Sequence, residues 1–198
     1  GLSTIRFGQG DLLDIDKLGQ SFDVIECVGV LHHMAAPFMG WTRLVDVLRP
    51  GGVMHVGLYS AVARQEIAAL RAEQGFPGPG CSNAEARRYR AELMGRPAGA
   101  IGHGLIASDD FYTLSDFRDL VLHPSEQHHT LDEIGAFLDE AGLAFLGFAL
   151  DADTMARYRR AYPDDPPAGT LAHWAAFEAE HPRTFDGMYC LWCRKAEA

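Results

Sequence analysis

No stretch of this sequence approaches the roughly 18–20 consecutive apolar residues that a membrane-spanning helix needs. The opening residues, Gly1 to Arg6, also lack the charged-then-apolar order of a secretory signal. The cytoplasm is therefore the expected location, with no membrane partner. Basic charge is scarce: 17 Lys and Arg stand against 27 Asp and Glu, a formal net charge of −10. Such a field repels phosphate, so nucleic acid and anionic membrane surfaces are not expected partners. The nearest thing to a basic patch, Arg87, Arg88 and Arg90, reads as a solvated helix face. Cysteine is scarce too, and Cys27, Cys81, Cys190 and Cys193 do not make a disulfide framework in a chain this long. Cys190 and Cys193 fall in an apparent strand, where positions three apart point to opposite faces, so they are poorly placed to share a metal. There are no internal repeats and no low-complexity tract.

What remains is an ordinary globular composition, 47% hydrophobic and 22% charged over 198 residues. Its patterning alternates strands and helices. Ser3–Phe7 reads as a short strand, and Phe22–Val28 as a continuously apolar one, which predicts burial on both faces as in a helix-covered parallel sheet. Val30 to about Leu48 has helical spacing, with Phe38, Trp41, Leu44, Val45 and Leu48 on one stripe. Pro50-Gly51-Gly52 stops that helix, and Val53–Tyr59 is a second buried strand, completing a right-handed βαβ unit. Helices over 61–74 and 83–94 follow as an insertion, and 101–112 reads as loop. Helices are predicted over 113–122, from the Thr130–Glu133 capping box to Ala141, over 153–162 and from Thr170 to His181. Strands are predicted over 144–150 and 187–195. Trp174 and Phe177, three apart on one helix face, read as core.

Two motifs carry a family resemblance. FDVIECVGVLHHM at 22–34 is followed, one helix later, by LRPGG at 48–52. Together they resemble the fourth strand, following helix and fifth strand of class I S-adenosylmethionine-dependent methyltransferases. Gly10-Asp11-Leu12 resembles that family's turn after the third strand. The closing segment, Pro124–Thr130 through Trp174 and Phe177 to Trp192, is similar to methyltransferase domains found behind tetratricopeptide repeats in bacterial proteins. The resemblance implies an α/β, partial Rossmann-like methyltransferase fold: a mostly parallel sheet with an antiparallel last strand and a helical insertion at about 61–102. Residues 1–198 would form the C-terminal part of the domain. The family binds its cofactor through a glycine-rich loop after the first strand and an acidic residue ending the second, and neither can be placed here.

The family's sheet order, 3-2-1-4-5-7-6, puts the unplaced first strand beside the fourth. Asp23–Val28 is then expected to be an open apolar edge and a route to self-association. By resemblance the cofactor is S-adenosylmethionine. Asp11 is the expected acceptor for the adenine amino group, Leu12 a backbone donor to the ring, and Val28 and Gly29 the passage for the methionine end. Tyr59 and Ser60, ending the next strand, are candidate substrate contacts, as is His128 in the loop with His123, Glu126 and His129. His33 is the candidate base, because an imidazole can titrate near neutrality. His32 and His33, adjacent on a helix, would point about 100° apart and so cannot both serve one site. No metal is expected, because neither histidine pair in 123–129 has i, i+4 helical spacing. The implied function is methyl transfer by the parent protein to an unknown acceptor, this piece alone being inactive. The alternative is a non-catalytic, methyltransferase-like interaction module.

Overall fold

The computed structural model describes residues 4–165 and 167–197. Its elements run β1 (Phe22–Cys27), α1 (Pro37–Val47), β2 (Leu48–Ser60), α2 (Gln65–Ala72), α3 (Asn83–Met94), α4 (Leu114–Leu122), β3 (His128–His129), α5 (Leu131–Glu140), β4 (Leu143–Phe148), α6 (Ala152–Ala161), α7 (Leu171–Glu180) and β5 (Met188–Lys195). The sheet order is β1-β2-β5-β4, with β3 pairing β2. β1 and β3 run parallel to β2, while β5 is antiparallel to both β2 and β4. This is the 4-5-7-6 half of the expected sheet, with the last strand reversed between its neighbours.

The register explains how β3 fits. β2 is held by β5 along Val53–Tyr59 and, on its other side, by β1 as far as Val56. β3 takes over that side where β1 has left, pairing His128 with Tyr59 and His129 with Ser60. The two-residue strand thus extends the β1 edge beyond the carboxyl end of β1. The main core lies on the sheet, around Trp41, Met54, Val56, Tyr158, Trp174 and Tyr189. Trp174 and Phe177 belong to it, as their spacing predicted. A second cluster gathers Leu70, Tyr89, Leu93, Phe111, Phe117 and Val121 under the inserted helices. This second core carries the packed helical unit past residue 102 to Leu122.

Several expectations are corrected. Thr4–Phe7 forms no strand, and Ser3 lies outside the described residues. The segment from Val30 is not one helix: Leu31–His33 makes a single 3₁₀ turn, and α1 starts at Pro37. Proline is at home in the first helical turn but disfavours helix in the residue before it, so Pro37 divides the stretch. The predicted stripe nonetheless faces inward, with Trp41 fully buried and Leu44 nearly so. β1 is not buried on both faces: Val24 is 59% exposed, because β2 is its sole strand neighbour among the described residues. The 101–112 stretch contains two 3₁₀ turns, His103–Ala107 and Asp109–Phe111. Thr170 stands at the start of α7 without a side-chain cap; its backbone N–H donates instead to Asp165, 3.1 Å away.

The capping box at Thr130 and Glu133 forms as read, through reciprocal hydrogen bonds of 3.2 and 2.9 Å. Cys190 and Cys193 fall on opposite faces of β5, and all four cysteines are free. Burial raises the Cys193 thiol to about 12 and raises Cys190 as well, so both stay protonated and unreactive. Among the described residues, no helix is long and apolar enough to cross a membrane.

Candidate active site at the carboxyl ends of two parallel strands

β1 and β2 run side by side, so their carboxyl ends open at the same edge of the sheet, where α/β folds gather ligands. Val28 and Gly29 leave β1 there. Gly29 has φ of +78°, a left-handed conformation that glycine adopts without strain, and nothing stands within 4 Å of where a side chain would begin. Gly57, inside β2, makes the opposite use of a missing side chain. A Cβ there would come within 3.0 Å of Val28 Cγ1 and 3.2 Å of Val28 Cα. Glycine is what lets Val28 lie flat against β2.

Beyond Gly29 the two histidines part, as the spacing argument required. His32 is fully buried, its ring stacked at 3.7 Å on Tyr59. Burial, aided by the neighbouring His33, lowers its pKa to about 4. His32 is therefore a neutral packing group at ordinary pH and a poor base. His33 is half-buried and turns toward the inserted helices, its Nδ1 lying 2.9 Å from the Ser125 carbonyl oxygen.

Tyr59 is itself enclosed, with the guanidinium of Arg64 at 3.6 Å over its ring. Arg64 reaches Glu126 at 3.5 Å, and Arg71 donates to the same carboxylate at 2.6 Å. His128 Nε2 lies 3.5 Å from Glu126 Oε2. Burial pushes the Glu126 carboxyl up, but His128 and the two guanidiniums outweigh it and hold the pKa below the usual range. Two cations around one buried carboxylate thus clamp the 123–129 segment onto the end of β2.

Ser60 is fully buried and fully engaged. Its hydroxyl donates to Glu178 Oε1 at 2.5 Å and accepts from the backbone N–H groups of Val62 (3.1 Å) and Ala63 (3.0 Å). Tyr189 donates to the other Glu178 oxygen, also at 2.5 Å. Ser60 therefore joins sheet to α7 and turns its hydroxyl away from solvent. Asp11 is exposed and caps the 3₁₀ turn Leu12–Leu18, accepting from Leu13 N–H at 2.9 Å. Leu12 opens that turn and packs partly against the main core. The strand ends thus bring together Val28, Gly29, His33, Tyr59, Ser60 and His128, while Asp11 and Leu12 stand on a separate turn ahead of β1.

Two features escaped sequence reading. One is Arg64, whose role depends on the fold returning Glu126 to it. The other is a cleft of about 570 Å³ at the same end of the sheet, bordered by Arg64, Glu66, Asp109, Arg183 and Asp186. Its walls come from the inserted helices and the turn entering β5.

Comparison with known proteins agrees with this architecture. Residues 1–56 match the protein family described as "Methyltransferase domain". The structure of PKMT2 from Rickettsia typhi superposes with a TM-score of 0.64 at 14% identity, covering 92% of this chain and 37% of that one. The structure of the same protein in complex with AdoHcy gives 0.59, with the same identity and coverage. An uncharacterized protein from Synechococcus sp., syc1184_c, is 28% identical over 163 residues, which are 73% of this chain and 36% of that protein. The chain therefore shares the methyltransferase fold, and it spans little more than a third of the length of these relatives.

Proposed function

We propose that the complete protein transfers a methyl group from S-adenosylmethionine to an acceptor that enters by the cleft beside Arg64, in the cytoplasm. The observation carrying this reading is the parallel pair β1–β2 with the open Val28–Gly29 turn at its carboxyl end. Displacement at a sulfonium methyl needs donor and acceptor aligned and water excluded, more than it needs a battery of catalytic side chains. Val28 and Gly29 would pass the methionine end of the cofactor, with Asp11 and Leu12 toward the adenine. His33 and His128 would face the acceptor, and Tyr59 would support that wall. Ser60 would act through packing alone. The cleft's exposed carboxylates, Asp109, Asp110 and Asp186, outnumber the one exposed guanidinium, Arg183, which favours a cationic acceptor.

The free edge of β1 belongs to the same proposal. Val24 within it is 59% exposed, and an apolar strand edge with unpaired backbone groups recruits another strand. In the complete protein we assign that place to further polypeptide; in the 198-residue chain alone we assign it to a second copy. Calorimetry with S-adenosylmethionine tests both halves. The complete protein should bind and methylate, while the chain alone should bind at roughly millimolar strength or weaker, for want of a glycine loop. Micromolar binding by the chain alone would overturn the assignment of the cofactor site. A complete protein that binds nothing would leave the interaction-module reading standing.

A further inference from the structure

The 3₁₀ turn after β1 and the last turn of α4 meet through three side chains: His33, Asp119 and His123. Each offers one ligand atom, and these atoms all lie within 4.8 Å of one another. Asp119 lies in the last turn of α4 and His123 is the residue that ends it, four positions on, which brings both to the carboxyl end of that helix. This i, i+4 pair mixes a carboxylate with an imidazole, which is why a search for paired histidines passes over it.

The surroundings favour ligation over a simple polar contact. The Ser125 carbonyl oxygen lies 2.9 Å from His33 Nδ1 and 2.6 Å from His123 Nδ1. The Ser125 N–H is farther from His123 Nδ1, at 3.2 Å. With Nδ1 donating to that carbonyl, each ring would keep its Nε2 lone pair for a ligand. A backbone carbonyl holding the far nitrogen is how metal-binding histidines are oriented. The two ring centroids sit 3.7 Å apart, close enough for one cation to reach a nitrogen of each. Elsewhere histidine and carboxylate meet directly, as at His128–Glu126 and His173–Asp165, each 3.5 Å. In this cluster no such pair closes among the described residues, which leaves a gap between the three groups.

We propose that His33, Asp119 and His123 bind a divalent transition metal of the zinc class. Two imidazoles and one carboxylate suit that ion, and three protein ligands leave a coordination position open. The ion would tie the inserted helices to the turn at the end of β1, on the face where the acceptor is proposed to arrive. The site stands on geometry independent of the methyl-transfer reading.

The test is zinc titration of the EDTA-stripped 198-residue chain by calorimetry, with cobalt added in parallel and followed by its visible bands. One equivalent should bind with low-micromolar affinity or better. Asp119→Asn and His123→Ala should each weaken binding tenfold or more and abolish the cobalt bands. The exposed His181→Ala should bind as the unaltered chain does. Circular dichroism of the stripped variants should match the parent, since Asp119 is exposed and the conservative change keeps its shape. Failure of the parent chain to bind, or equal binding by parent and Asp119→Asn, would overturn the proposal.

Discussion

Replacing Tyr189 by phenylalanine should destabilise the protein by about 2 kcal/mol at neutral pH, and by less in mild acid. The change deletes one hydroxyl and keeps the buried ring. That hydroxyl donates to Glu178 at 2.5 Å, and Glu178 is only 1% exposed, so water cannot take its place. A hydrogen bond to a charged group contributes about 1.5–3 kcal/mol, and its loss leaves a buried carboxylate oxygen bare. For a chain of this size the expected fall in Tm is about 4–8 °C.

The pH dependence follows from the Glu178 carboxyl. Burial raises its pKa above 4.5, although the Ser60 and Tyr189 hydrogen bonds pull it down in part. The folded protein therefore holds this proton more tightly than the unfolded chain does. The carboxyl's contribution to stability is full below the unfolded pKa and is lost as pH rises through the folded one. Removing Tyr189's hydroxyl raises the folded pKa further, so the variant suffers most where the carboxylate must be charged. Chemical denaturation at about pH 5.5 and about pH 7.5 measures the difference, with Glu178→Gln as the control that removes the titration. A loss below about 0.5 kcal/mol at neutral pH, or the same loss at both values, would refute the reasoning. Ser60→Ala cuts the same network and should behave alike, so its effect in the complete protein would fall on stability.

Two other substitutions test the strand ends. Glu126→Ala leaves Arg64 and Arg71 beside an uncompensated site, and should cost about 3–5 kcal/mol in urea denaturation; a loss under about 1 kcal/mol would show that water or other groups already screen the guanidiniums. Gly57→Ala presses a Cβ onto Val28 Cα at 3.2 Å and Met188 Sδ at 2.9 Å. The methionine can swing aside but the Val28 backbone cannot, so a loss of about 1–3 kcal/mol is expected. In the complete protein the same change should weaken S-adenosylmethionine binding, read by calorimetry; an unchanged Tm together with unchanged binding would remove Gly57 from the argument.

How far the sequence went can be seen at its two best motifs. FDVIEC and LRPGG placed β1 and β2 side by side because period, punctuation and order all pointed the same way. Where local signals conflicted, reading failed: helical spacing from Val30 onward hid the break that Pro37 imposes. The apolar run of β1 also misled, since β2 is its sole strand neighbour among the described residues and Val24 stays exposed. The position of a candidate residue was legible when it lay at a strand end, as Gly29 and Tyr59 do. It was illegible when it depended on a return of the chain. Ser60 read as a polar strand terminus, and only the arrival of α7 with Glu178 made it structural.

The same limit explains why the inserted helices matter more than their sequence suggests. Taken alone, Arg64, Arg71, Asp119 and His123 are scattered polar residues on modestly amphipathic helices. The second apolar core, with Phe111, Phe117 and Val121 at its centre, holds α4 rigidly against α3 and brings the 123–129 loop back across the sheet. Glu126 then lands between two guanidiniums, β3 pairs with the end of β2, and Ser125 meets both His33 and His123. A packing decision far from the strands thus composes the polar wall at their ends. On the proposed function, exchanging this helical unit with the β1–β2 frame kept should change which acceptor the complete protein methylates and leave its S-adenosylmethionine affinity, read by calorimetry, unchanged.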